Sequence, residues 1–467
     1  MSLLTPLQSR TARILRGLTF LIAASVPLAA QAATDLMSVY AKALDANPDY
    51  QSAVSAFHVA VEARPQALSK LLPQVAALGN AAEAEQAISG RYFLDTTAVA
   101  PEGFDSNKRD QFYSVGYALG LTQAVFHWDL FVSLDEADLK VGSAGLQIYD
   151  AQDALRVGVA EAYFGVLAAD DLVRFTAAER DAINQLLDQV KNRYASGLLT
   201  DLDVKQAQSQ ADLAAAALIG AENAVQVSRV ELEQITGGQR YDVLKTLSPQ
   251  YQPEPPSPDR LNDWIERARV QNLKLQAQRY STQVAQKEVA RAQSLRYPTL
   301  DAYAGRQYSY ANGGISRGIG AGNNHEWDDR VQLNMKLPIY SGGAVSSAIR
   351  AAQAGFDKAR YDEASVLNQA VKDTQVAFLN SSAEMAQIAA FRQAVQSAQE
   401  AEASARTGYD VGTKTLSDVL QAVRGRYKAE RDYAQARYTY LVNYLKLKRA
   451  AGALNNADLL AVNKWLQ

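Results

Sequence analysis

Apolar side chains recur every three and four residues over most of this chain, and every second residue in two short interruptions. From Leu155 through Val159, Ala162, Val166, Ala169, Val173, Thr176, Arg180, Ile183, Leu187 and Val190 to Tyr194, the spacing alternates between four and three. Val204, Ala207, Ala211, Ala214, Leu218, Ala221, Val225, Ser228, Leu232 and Ile235 continue it, and Leu367, Val371, Thr374, Phe378, Ser381, Met385 and Ile388 repeat it. A sustained 3.5-residue period puts one stripe of each helix against a partner and imposes a left-handed coiled coil. Many stripe residues are Ala, Ser or Thr, so the helices pack closely over little apolar area. From Trp128 to Ser196 a continuous helix would span roughly 100 Å. No globular core needs that length; a rod or tube does.

The interruptions run from Pro73 to Phe126 and from Pro298 to Tyr340. In the first, Tyr113, Val115, Tyr117, Leu119 and Leu121 alternate with Phe112, Ser114, Gly116, Ala118 and Gly120. In the second, Val331, Leu333, Met335, Leu337 and Ile339 alternate with Arg330, Gln332, Asn334 and Lys336. Period two with one apolar and one polar or small face fits a barrel strand between lipid and water, and equally an ordinary amphipathic hairpin. The first arms, Val75–Ala87 and Leu300–Ala311, alternate poorly. Pro101–Asp110, Asn312–Gly314 and Gly318–Asn324 read as outer loops.

Proline placement agrees with long helices. None occurs between Pro101 and Pro249 or after Pro338, spans that would ordinarily hold roughly six or seven each. A proline inside a helix costs about 3 kcal/mol.

The chain also repeats itself. RYASGLLTDLDV (193–204) and GYDVGTKTLSDV (408–419) share Tyr194/Tyr409, Gly197/Gly412, Thr200/Thr415, Asp203/Asp418 and Val204/Val419 at one offset. Gly closes a helix in the left-handed region, and Thr followed at +3 by Asp opens the next as a capping box. Helix capping alone accounts for Gly and Thr; recurrence of Asp and Tyr leaves room for function. Asn47/Asn272 and Pro73/Pro298 match at a second offset. The expected layout is a first repeat over 33–247 (strands about 74–126, long helices 128–236), a Pro-rich surface linker at 248–258, and a second repeat over 259–467. The second holds strands about 299–340, long helices 343–450 and a C-terminal segment 451–467. Two hairpins supply four strands per chain, fewer than the roughly eight of the smallest membrane barrels, so a membrane form must oligomerise.

Residues 1–32 read as a cleaved secretory signal: Arg10, Arg13 and Arg16, an apolar Gly17–Ala30, then Ala30-Gln31-Ala32. The alternative, a membrane anchor, needs about 18 apolar residues. The formal net charge is −3, and losing those arginines makes the chain more acidic, which argues against nucleic acid as a partner. Cysteine is absent, so there is no disulfide and no lipid-modified N-terminal Cys. No later segment can span a membrane as a helix. An enzyme is not expected: His58, His127 and His325 lie in unrelated regions with no carboxylate at ligand spacing, and Gly313–Gly318 lacks the Lys-Ser/Thr of a phosphate loop. No metal or cofactor site is expected.

With Asp35–Pro48 (DLMSVYAKALDANP), Gln123–Phe126 (QAVF), Arg193–Val204, Tyr297–Asp301 (YPTLD), Leu337–Gly343 (LPIYSGG), Gly408–Ala422, Ala436–Leu441 (ARYTYL) and Ala451–Ala461 (AGALNNADLLA) in this order, the chain resembles the TolC family of outer-membrane channel-tunnels of Gram-negative bacteria. The resemblance covers the chain beyond the signal almost end to end. It implies an α+β fold: a long antiparallel helical coiled-coil barrel in the periplasm, and a β-barrel in outer-membrane lipid of four strands from each of three chains, twelve in all. It implies a homotrimeric exit duct for small-molecule efflux, type I protein secretion or both, fed by a periplasmic adaptor (membrane fusion) protein and an inner-membrane ABC or proton-driven transporter. Carried over residue by residue, the pore constriction falls on Asp418 and on Gln421, where the family has a second Asp. The closing network falls on Asp203, Lys414 and Tyr409, with Lys414 and Leu202 where members often have Arg and Thr. Asp203 and Lys414 are expected to form an ion pair between the hairpins. The adaptor is expected to touch the turns at Gly197, Leu198 and Thr200, and at Gly412, Thr413 and Thr415. A structural coiled-coil surface protein or adhesin is the competing reading.

Overall fold

The structure, a computed structural model, describes residues 33–93, 103–312 and 324–467. The expected signal at 1–32 and the loop residues 101–102 and 313–323 lie outside them.

Three helices open the chain: α1 (Leu36–Ala46), α2 (Pro48–Val61) and α3 (Ala63–Ser69). The first hairpin follows, β1 (Gln74–Phe93) and β2 (Gly103–Phe126), then α4 (Trp128–Ala195) and α5 (Asp201–Ile235). After an irregular stretch come α6 (Leu261–Gln271), α7 (Leu273–Ser294), β3 (Thr299–Ala311) and β4 (Asn324–Lys336). The chain ends in α8 (Ala344–Asp410), α9 (Leu416–Ala450) and α10 (Asn456–Asn463). The long helices match in pairs: α4 and α8 have 68 and 67 residues, α5 and α9 have 35 each. No described helix is long and apolar enough to cross a membrane.

The 3.5-residue stripes are the buried faces. Leu155, Val159, Ala162, Val166, Ile183, Leu187 and Val190 of α4 are buried, as are Ala207, Ala211, Ala214, Leu218, Ala221, Val225 and Leu232 of α5. Tyr194, at the end of the first stripe, is 46% exposed. It lies in the last turn of α4, where the chain leaves the coil. On α8 the same pattern buries Thr374, Ser381 and Ile388, while Val371, Phe378 and Met385 are half-buried. Pairs α4/α5 and α8/α9 are antiparallel hairpins, and α4 against α9 joins them.

Asn47 and Asn272 recur for a structural reason. Each stands at a break between consecutive helices and caps the second: Asn47 Oδ1 accepts from Tyr50 N at 3.0 Å, Asn272 Oδ1 from Leu275 N at 3.0 Å. Each amide also reaches the last turn of a distant helix, Asn47 Nδ2 donating to Ile235 O at 3.1 Å and Asn272 Nδ2 to Ala450 O at 2.8 Å. Both are buried, so each satisfies helix-end groups water cannot reach. Ser248–Pro258 is held down rather than free: Tyr251 is buried, Arg437 donates to Ser248 O at 2.5 Å, and Trp264 Nε1 donates to Pro258 O at 2.8 Å. Leu244, Leu247 and Tyr251 join Leu454, Leu459, Val462 and Leu466 in the main core cluster.

The four strands form one antiparallel sheet, β1-β2-β3-β4. Pairing of β2 with β3 joins the hairpins, and β1 and β4 are its edges. Register puts Tyr117 beside Tyr308 and Tyr308 beside Trp327; Leu121 faces Ala304, Ala304 faces Val331, and Ala302 faces Leu333. Since alternate residues share a face, these lie on one side with Leu119 and Met335. That side is uncovered: Val331 is 88% and Met335 70% exposed. Two expectations shift. β2 begins at Gly103, so most of Pro101–Asp110 is strand, continuing the β1 pairing to Gly103. β4 ends at Lys336, so Leu337 and Ile339 lie beyond it; Pro338 has no N–H for a ladder.

Candidate functional site at the helical tip

The two repeated segments are the turns at one end of the paired hairpins. In the first, α4 stops at Ala195, Gly197 takes φ 76°, and Leu198 N donates to Arg193 O at 2.9 Å. In the second, α8 stops at Asp410, Gly412 takes φ 79°, and Thr413 N donates to Gly408 O at 2.8 Å. Both are left-handed closures that any Cβ would strain. Gly197, Leu198, Thr200, Gly412, Thr413 and Thr415 are all exposed.

Each following helix opens with a full capping box. Thr200 N and Oγ1 donate to Asp203 Oδ2 at 3.0 and 2.7 Å, and Asp203 N donates back to Thr200 Oγ1 at 3.3 Å. Thr415 N and Oγ1 donate to Asp418 Oδ2 at 2.9 and 2.8 Å, and Asp418 N donates to Thr415 Oγ1 at 3.2 Å. These bonds favour the ionised form. The hydroxyl and then the amide of Thr200 hold the Asp203 carboxyl below its ordinary range, and the amide and then the hydroxyl of Thr415 do the same for Asp418. Gln421 is exposed about one turn further along α9.

The expected ion pair between Asp203 and Lys414 is not formed within one chain. Asp203 is taken up by its own capping box, and the Lys414 stem lies across Gly408 of its own hairpin. A Cβ built on Gly408 would come within 2.6 Å of Lys414 Cγ. The ionic tie between hairpins is made by residues the sequence reading left out: Arg193 Nη2 donates to Asp410 Oδ1 at 2.7 Å. The same guanidinium sits 4.9 Å from the Tyr409 ring centroid. Tyr409 is 8% exposed, and its buried hydroxyl has no hydrogen-bond partner among the described residues of one chain. Arg424 adds a second tie, Nη1 donating to Gln210 Oε1 at 3.1 Å, with Nε 3.8 Å from Glu179 Oε1. Arg193 and Asp410 flank the shared Tyr194 and Tyr409 with opposite charge, the one signal that could have found them. Below these ties Ile183, Leu186, Val190, Ala207, Leu416, Val419 and Val423 form a single apolar cluster.

His127, at the sheet–helix junction, is joined to one carboxylate remote in sequence, Asp301 Oδ1 at 3.0 Å, and lies 3.6 Å from Oδ1 of Asp129, two residues on. Among the described residues no group of acidic, His or Cys side chains is arranged to hold a metal ion.

A family model described as outer membrane efflux protein matches residues 39–238 and 264–453. The chain is 33% identical over 440 residues to outer membrane protein TolC of Escherichia coli (strain K12), covering 93% of this chain and 85% of that protein. It is 26% identical over 429 residues to the alkaline protease secretion protein AprF of Pseudomonas aeruginosa, covering 91% and 86%. Among solved structures, CusC superposes with a TM-score of 0.74 at 16% identity over 90% of this chain and 93% of that one. VceC of Vibrio cholerae superposes at 0.70 with 20% identity over 89% and 96%.

Proposed function

The chain belongs to the outer membrane efflux protein family, and from that membership we propose how it works. It is a channel of the Gram-negative outer membrane, serving efflux or type I secretion. Its working form is a homotrimer. The observation that carries this is the sheet: four strands with two unpaired edges and one uncovered apolar face. In lipid an open edge leaves backbone N–H and C=O groups unsatisfied, each costing several kcal/mol. Pairing β4 of each copy with β1 of the next removes every edge, and three copies give a closed barrel of twelve strands. The helices α4, α5, α8 and α9 then wall a tube extending into the periplasm. At its tip three copies of Asp418 form a negative constriction that favours cations, with Gln421 adding no charge. Arg193, Asp410 and Tyr409 hold the hairpins closed. Exposed ion pairs of this kind contribute about 0–1 kcal/mol, which suits a gate that partner contact must open. The exposed turns at Gly197, Leu198 and Thr200, and at Gly412, Thr413 and Thr415, receive a periplasmic adaptor joined to an inner-membrane ABC or proton-driven transporter. The adhesin reading accounts for neither the sheet nor the family membership.

Native mass in detergent micelles tests the assembly. A single species of three chains is expected; a monodisperse monomer retaining its strand content would overturn it.

A further inference from the structure

A groove of about 810 Å³ runs between α5 and α9 just behind the tip, floored by α4. Its charged lining is Lys205 from α5, Arg424, Lys428 and Arg431 from α9, and Glu179 from α4. That is four cations against one carboxylate in a chain whose net charge is −3. Arg424 is engaged by Gln210 and Glu179, but among the described residues Lys205, Lys428 and Arg431 have no ion pair within 4 Å. Positive charge is therefore concentrated there and only partly compensated, by Glu179. The α9 contributors fall on one stripe: Ser417, Gln421, Arg424, Lys428 and Arg431 are spaced four, three, four and three, the spacing that keeps coiled-coil positions on one face. Gln421 is on that stripe, so if Gln421 borders the pore, Arg424 and Lys428 border the lumen immediately inside it.

We propose that this groove is an anion-binding vestibule behind the acidic constriction, taking multivalent anionic solutes in the lumen through Lys205, Arg424, Lys428 and Arg431. The inference rests on the reading that Asp418 and Gln421 face the pore. Clefts lined by one sign of charge focus the field and concentrate the opposite ion. In a trimer with its three-fold axis along the pore, the three grooves would form one ring just inside the Asp418 ring, so cations are favoured at the mouth and multivalent anions are retained behind it.

The probe is inorganic tripolyphosphate, added at the extracellular side of the full-length channel in a planar bilayer, so that it reaches the groove through the lumen without crossing the acidic constriction. Wild-type current should show reversible block at 0.1 M salt that fades at 1 M, where the screening length falls from about 10 to about 3 Å. Arg424→Gln with Lys428→Gln should weaken the block by roughly tenfold, two close charges being lost from the groove lining. Lys428→Gln alone, at an exposed residue without a partner, should weaken it in the same direction and guards against misfolding of the double variant. Asp418→Asn should reduce cation selectivity yet leave tripolyphosphate block intact. Absence of block in wild type, or block in Lys428→Gln and in the double variant as strong as in wild type, would overturn the vestibule. If Asp418→Asn leaves selectivity unchanged, the pore reading itself fails, whatever the anion does.

Discussion

Asp203 and Asp418 do local work before they can do anything else. Each closes a capping box, and the bonds from Thr200 and Thr415 keep both carboxyls ionised below their ordinary range. A folded pKa below the unfolded one contributes stability that is complete above the unfolded value and disappears as pH falls through the folded one. Thr200→Ala removes the two bonds of the hydroxyl, the one to Asp203 Oδ2 and the one from Asp203 N, while the backbone N–H of residue 200 keeps its own, and should weaken the first turn by about 1 kcal/mol at neutral pH. Amide exchange over residues 200–204 should then run roughly fivefold faster than in wild type. That difference should shrink only as pH falls below the ordinary carboxylate range, through the depressed pKa at which Asp203 protonates in the folded protein. Equal exchange rates at neutral pH would show that the box does not hold the turn. The boxes were legible because Thr-x-x-Asp after Gly is a local pattern. The tie from Arg193 to Asp410 was not, since it depends on how two coiled coils are rotated about each other. The expected pair of Asp203 and Lys414 missed for that reason: local capping and the Gly408 contact had claimed both side chains.

At the scale of elements, period carried most of the information. Stripes spaced by 3.5 became the buried faces of α4 and α5 almost residue for residue, and period two found β2 and β4. Boundaries were weaker. The polar run Asp105–Asp110 hid the outer third of β2, because a strand paired with β1 needs no apolar side chains to keep its ladder. The apolar alternation continued past β4 because Pro338 ends pairing without changing the pattern. The reason for Asn47 and Asn272 was not readable either, since each binds a helix end about 180 residues away. The small-residue seams lead to a definite expectation. Ala211 is 5% exposed between α4 and α5. Ala211→Leu would force closely packed helices apart and should cost about 1–3 kcal/mol, seen as a lower melting temperature in detergent. An unchanged melt would mean that the seam has slack and the hairpins are not closely packed there.

For the whole molecule, one chain is an incomplete object: its sheet has bare edges and an uncovered apolar face, and its tip hydroxyl at Tyr409 is buried without a partner among the described residues. Sequence could indicate that four strands must be shared. It could not show that the two hairpins join through β2 and β3, which fixes β1 and β4 as the edges left for neighbouring copies. The central claim is that copies close these edges into a conducting tube, gated at the tip by weak ties between hairpins. Single-channel conductance in a planar bilayer tests it most directly, comparing wild type with Arg193→Ala/Asp410→Ala. The account predicts discrete channels of small, uniform conductance for wild type, and a severalfold larger conductance for the double variant, because it loses the outermost ion pair and cation–π contact between the hairpins, each worth about 1 kcal/mol or less, and keeps only the Arg424 tie and the apolar cluster below. Failure of the wild-type protein to form discrete channels, or identical conductance in the two proteins, would contradict it.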